Sequence, residues 1–289
     1  MNNTTFWQHL SIGKPVVRRG DGGTLAYWPL RGPDARPKVG FVDDVMLDKD
    51  LGYTRLKFRT RCADPTVIPA GYTLFMNAAQ DRTVYAAHVF DKETVVAAHC
   101  VEPGEAGRWN ARKTMRAGML PLALRVPSFR NRHRDEAGAM WGSIRRLLQS
   151  SGVRRHNGAL RALREAPHIR SGIQALTAPE TLPDQRGVVV TLNGSIVGVE
   201  VAPSAAQFRS WWTQGGLNAS YATEVARLFR PPVLAASSGE SLADHLFAAA
   251  LRLRQAKGPV YDLELGGLVG QAVVLGGEVV YASAVGERL

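Results

Sequence analysis

Between residues 24 and 110, apolar and polar positions alternate in short runs. The runs are broken by turn chemistry at Arg31-Gly32-Pro33-Asp34, Asp64-Pro65 and Pro69-Ala70-Gly71, which predicts a predominantly β first part. From Asp135 to Glu165 the period changes. Met140, Ile144, Leu147 and Leu148 recur at spacings of three and four, with Leu160 and Leu163 in a second stretch, predicting helices flanked by Arg145, Arg146, Arg154 and Arg155. After Pro179 and Pro183, residues 187–200 read as a β-hairpin centred on Asn193-Gly194, and residues 271–281 as another around Gly276-Gly277. Both hairpins are expected in one sheet. Between them the pattern predicts a helix from Ser204 through Trp211 and Trp212 toward Phe229, broken at Gly215-Gly216, and another from Ser241 through Leu253. The expected class is α+β, with a β-rich N-terminal half, a basic helical middle, and C-terminal hairpins with connecting helices. The parts run 1–110, 111–178 and 179–289, either as separate units or as one continuous domain.

With 289 residues, 45% of them hydrophobic, the chain can bury a sizeable core. No apolar run reaches the roughly 18 residues that span a bilayer. The opening Met1-Asn2-Asn3-Thr4-Thr5-Phe6-Trp7 lacks the basic-then-apolar order of a signal peptide, so a cytoplasmic protein without membrane contact is expected. Cys62 and Cys100 have no paired spacing, which argues against a disulfide framework or a structural zinc site. A glycine-rich phosphate loop, a dinucleotide fingerprint and a serine-hydrolase elbow are all missing, and no cofactor or metal is expected. The net charge of +11 is unevenly spread: residues 108–170 hold 15 Lys or Arg against 3 Asp or Glu, a balance of +12, and the remainder sums to −1. A basic block interleaved with Trp109, Phe129 and Trp141 suits nucleic-acid or nucleotide-phosphate contact. A solvated arginine-rich surface has the same composition.

Candidate chemistry concentrates where Gln80-Asp81-Arg82, Cys100-Val101-Glu102 and Gly107-Arg108-Trp109 lie on consecutive short segments. A turn around Asp91-Lys92-Glu93 would fold the first segment onto the second. An odd loop pairing Phe90 with Thr94 sets Arg82 opposite Glu102 and Val84 opposite Cys100, with Gln80, Arg82, Cys100 and Glu102 on one face and His99 on the other; an even loop separates them. On one face, Arg82 and Arg108 would hold a phosphate or carboxylate, with Gln80 and Asp81 beside them and Trp109 and Trp141 as stacking platforms. Glu102 would orient a guanidinium or act as general base, and Cys100 as nucleophile. Each has a plainer reading: a structural ion pair for the charges, and a small buried hydrophobe for Cys100.

These three triplets, with Trp28-Pro29-Leu30, Trp141, Gly187-Val188-Val189, Asn193-Gly194 and Ser220-Tyr221 in the same order, resemble the domain family associated with ADP-ribosylglycohydrolases and rhodanese-phosphatases, a domain of unknown function. The likeness covers most of the chain. It departs at Gly71-Tyr72, where relatives carry Gly-Glu; at Ala79-Gln80-Asp81-Arg82, where they carry Lys-Gln-Asn-Arg; and at Pro103-Gly104-Glu105-Ala106, which lengthens a link. The resemblance implies a context of NAD or ADP-ribose metabolism. Three readings follow. The first is a protein binding an ADP-ribose-like or NAD-derived nucleotide, or an ADP-ribosylated partner, with hydrolysis as one form of it. The second is a nucleic-acid-binding module carried by residues 108–170. The third is a homo-oligomeric scaffold whose apolar hairpin edges pair between chains.

Overall fold

The alternating first part folds as strands: β1 (Ser11–Ile12), β2 (Val16–Gly20), β3 (Gly23–Arg31), β4 (Val45–Asp50), β5 (Arg55–Thr60), β6 (Thr66–Ile68), β7 (Tyr72–Met76), β8 (Arg82–Val84), β9 (His88–Phe90), β10 (Glu93–Cys100) and β11 (Met115–Met119). The helical middle carries α1 (Leu122–Arg130), α2 (Trp141–Ser150), α3 (Arg161–Glu165) and α4 (Pro167–Leu176). There follow β12 (Gln185–Leu192), β13 (Ser195–Val201), α5 (Ala205–Thr213), α6 (Leu217–Arg227), α7 (Gly239–Ala248), β14 (Leu251–Lys257), β15 (Val260–Leu265), β16 (Leu268–Leu275) and β17 (Glu278–Gly286). This computed structural model describes the chain except residues 1–6, 21–22, 53, 77–79, 104–114, 135, 137, 154–157, 178–179, 228–238 and 287–289. The class is α+β. Among the described residues no helix is long and apolar enough to cross a membrane.

Both predicted hairpins form, turning on positive φ at Asn193 and Gly194 (50° and 84°) and at Gly276 and Gly277 (55° and 80°). Two positive φ values in succession match the right-handed twist of the flanking strands, which is why Asn-Gly and Gly-Gly occupy these turns. The hairpins share a nine-stranded antiparallel sheet in the order β1-β3-β12-β13-β17-β16-β15-β14, with β2 on the same edge of β3 as β1. All four hairpin strands therefore have neighbours on both sides, which removes the open edges that the scaffold reading relied on. One helix differs from expectation. It ends at Ala248, and Leu253 lies in β14, where Leu251-Arg252-Leu253-Arg254 alternates at period two and pairs with β15.

A six-stranded sheet, β11-β7-β8-β10-β5-β4, faces one side of the nine-stranded one. Alternation along β3 and β12 sorts the side chains: Tyr27, Val188 and Val190 join Phe41, Phe58, Leu74, Val84 and Val96 between the sheets, with Trp211 and Trp212 of α5. Trp28 and Val189 point the other way, against Trp7, Leu242 and Leu246. All eight residues of β12 are buried, as a strand covered on both faces requires. A third cluster packs Val101, Leu120, Leu124, Met140, Ile144, Leu147, Leu148, Leu160 and Leu163 around the end of the six-stranded sheet.

The helical middle is fastened to the nine-stranded sheet by a buried charge. Arg125 of α1 puts Nη2 2.6 Å from Glu200 Oε1 of β13 and donates to Ser283 Oγ at 2.6 Å and to the Tyr221 hydroxyl at 3.2 Å. Tyr221 in turn donates to Glu200 at 2.5 Å. Burial pushes the Glu200 carboxyl up, against the pull of Arg125 and Tyr221. Gly198 makes the approach of Tyr221 possible, since a Cβ there would lie 2.0 Å from the phenol oxygen. Breaking a buried pair strands the surviving charge. Glu200→Gln is therefore expected to lower the unfolding free energy by about 3–5 kcal/mol in urea titration. Arg31→Ala, at the solvent-exposed pair with Asp184, should leave the midpoint close to wild type.

Candidate functional site

β8 and β10 pair with Arg82 opposite Cys100 and Val84 opposite Ala98. The predicted parity holds, so Arg82 and Cys100 share a face, but the register lies two residues from the expected one. The reason is that β8 and β10 are not joined by a tight hairpin: the chain between them leaves to form β9, where Phe90 pairs with Thr66, and Thr94 pairs with Phe58 of β5. Arg82 and Glu102 are consequently not opposite one another. His99 lies on the other face, opposite Thr83, and stacks on Tyr85 with ring centroids 4.0 Å apart.

Around this pairing the structure gathers Gln80, Asp81, Arg82, Cys100, Glu102 and Trp141. The first five are buried. Arg82 donates from Nη1 to the Gln80 carbonyl at 3.0 Å, and its Nη2 lies 3.9 Å from Asp50. Glu102 has no exposed surface; its Oε2 accepts from the Asp81 amide at 3.0 Å. The Cys100 thiol turns back on its own strand end, with Sγ 3.4 Å from both the amide and the carbonyl of Glu102. Burial pushes this thiol up, so it is held as a thiol rather than as a nucleophilic thiolate. The Trp141 indole donates to the Cys100 carbonyl at 3.0 Å. Arg108 and Trp109 lie outside the described residues.

Two residues absent from the expected set complete the cluster. Arg161 of α3 forks onto Glu102, with Nε and Nη2 each 2.5 Å from a carboxylate oxygen, and its Nη2 is 3.6 Å from Asp81. Arg164, one turn on, donates to Asp81 at 3.3 Å and lies over Phe75 of β7, its Cζ 3.4 Å from the ring centroid, a separation that a guanidinium standing on edge could not reach without driving a nitrogen into the ring. The signal for them was their spacing: positions i and i+3 share one side of a helix, beside the apolar Leu160 and Leu163. Asp81 and Glu102 are thus balanced by two guanidinium groups, which is how a buried carboxylate pair is tolerated.

Beside this cluster opens a cleft of about 390 Å³, walled by β7 and β11 (Phe75, Gly118), by α3 and α4 (Leu163, Arg164, Ile169, Arg170, Ile173, Gln174), by Gln214 and Gly216 ahead of α6, and by Ser220 and Thr223 of α6. None of its described lining residues is acidic. Arg164 belongs to both cluster and cleft. Arg170 is exposed and has no ion-pair partner among the described residues. The cleft therefore offers an aromatic ring, two cations and side-chain amides and hydroxyls on an apolar ground, chemistry suited to an anionic ligand with a planar part.

Two antiparallel sheets with an arginine-bound carboxylate cluster and an adjoining basic cleft define an α+β protein with a small-molecule-sized site. The model of the ARG and Rhodanese-Phosphatase-superfamily-associated Protein domain matches residues 43–285, and the chain belongs to this family. No curated protein and no solved structure matches it.

Two outcomes follow from the geometry. In native protein at pH 8 a thiol reagent should modify the half-buried Cys62 and spare Cys100, and denaturation should raise the count to two. Glu102→Gln should cost roughly 2–3 kcal/mol in denaturant melts, less than a wholly enclosed pair because Arg161 keeps a water-facing edge.

Proposed function

We propose that the protein binds an ADP-ribose-like nucleotide, free or carried on a partner, in the cleft between α3–α4, α6 and β7–β11. The observation that carries this reading is the cleft's lining, with Phe75, Arg164 and Arg170 present and no described carboxylate. Its volume lies within the span of small-molecule sites, roughly 300–1,000 Å³. The family's association with ADP-ribosylglycohydrolases supplies the nucleotide class, as context rather than mechanism.

Binding is favoured over hydrolysis. A general base needs a lone pair within reach of water or substrate, whereas both oxygens of Glu102 are engaged by Arg161 and the residue itself has no exposed surface. The ligand contacts first expected of Arg82 pass in this reading to Arg164 and Arg170, because Arg82 is buried against the Gln80 carbonyl. The nucleic-acid reading draws less support from the fold. Of the basic block, Arg125, Arg132, Arg161 and Arg164 are matched by Glu200, Asp262, Glu102 and Asp81, leaving fewer cations to release counterions from a phosphate backbone.

A thermal-shift series on nucleic-acid-free protein tests this. ADP-ribose at a hundredfold excess over Kd should stabilise the fold by about 2.7 kcal/mol. The shift should disappear in Arg170→Glu, which alters an exposed position. A shift with short oligonucleotides alone, abolished by high salt, would move function to the basic block.

A further inference from the structure

Resting on the nucleotide reading, we infer that the two cleft arginines have different tasks: Arg164 is a stacking platform for the ligand's base, and Arg170 is the anchor for its phosphate. A guanidinium grips a phosphate through one of two forks, Nε with Nη2 or Nη1 with Nη2. On Arg164 both forks are compromised, because Nη2 is bound to Asp81 at 3.3 Å and Nε is shielded from solvent without a hydrogen-bond partner among the described residues. One face of its plane is taken by Phe75 at 3.4 Å. The side chain is nonetheless 39% exposed and lines the cleft, so what it offers there is the opposite face and Nη1. A flat, delocalised cation held rigid from behind is a surface on which a purine gains dispersion and cation–π attraction.

The rigidity is built in. Gly118 lets the Phe75 ring cross β11, since a Cβ at 118 would lie 2.4 Å from ring atom Cε2, and Asp81 fixes the guanidinium's rotation within its plane. Arg170 is the reverse case. It stands on α4, exposed and without an ion-pair partner among the described residues, and both its forks are open to an anion. The cleft thus reads a base at its Phe75–Arg164 end and a phosphate at the Arg170 side.

Calorimetric titration of ADP-ribose, AMP and ribose 5-phosphate against wild type, Arg164→Lys, Phe75→Leu and Arg170→Gln tests the division. Lysine keeps the charge and removes the plane. Arg164→Lys should weaken ADP-ribose and AMP by roughly ten- to a hundredfold while leaving ribose 5-phosphate nearly unchanged, the range expected for loss of one base stack. Phe75→Leu, which retains Arg164 but removes its backing, should weaken the same two ligands; it serves as the second variant if the lysine protein melts below the assay temperature. Arg170→Gln should weaken all three ligands alike. Arg164→Lys or Phe75→Leu binding AMP as wild type does would overturn the stacking role while leaving the nucleotide site in place, as would ribose 5-phosphate matching AMP on wild type. No binding of any of the three to wild type would overturn the nucleotide reading and this division with it.

Discussion

A guanidinium taken out of water needs its charge and its donors answered inside the fold, and in the middle of this protein carboxylates answer them. The stretch from 108 to 170 carries a surplus of twelve positive charges, yet its best-placed arginines point inward. Arg125 reaches Glu200 in one sheet, Arg132 reaches Asp262 in the same sheet, and Arg161 and Arg164 reach Glu102 and Asp81 beside the other. The helices of the middle are therefore pegged to both sheets by matched charges as well as by the apolar faces of Leu124, Ile144, Leu148 and Leu163. The cleft exists because α3 and α4 are held at that place.

How much of this was legible depended on distance along the chain. The Asn193-Gly194 and Gly276-Gly277 hairpins were readable because a two-residue turn with positive φ is chosen by the residues within it. The break at Gly215-Gly216 between α5 and α6, and the apolar stripe of α2, were readable for the same local reason. The register of β8 on β10 was not, because the connection wanders through β9 and the pairing is decided by β5 and β6, which no local rule foresees. Leu253 was read as helical because its neighbourhood fits both periods, and only pairing with β15 decides between them.

The same contrast holds at the site. Gln80, Asp81, Arg82, Cys100 and Glu102 do come together, as their positions on neighbouring segments suggested, but they turn their charges on one another and on the helices rather than toward solvent. Sequence marks which residues are chemically capable; it does not say which partner each has already found. Arg161 and Arg164 were ordinary members of a basic run until the fold set them against two buried carboxylates.

The pegs also bear on the order in which the chain can assemble. Arg161 bonds across 59 residues, Arg164 across 83 and Arg132 across 130, so each contact closes a long loop before it gives any return. Strand pairs joined by tight turns have no such delay. The middle helices can desolvate their arginines only once both sheets present the matching carboxylates, which makes their docking a late event and the chain, rich in contacts of this kind, a slow folder for its size.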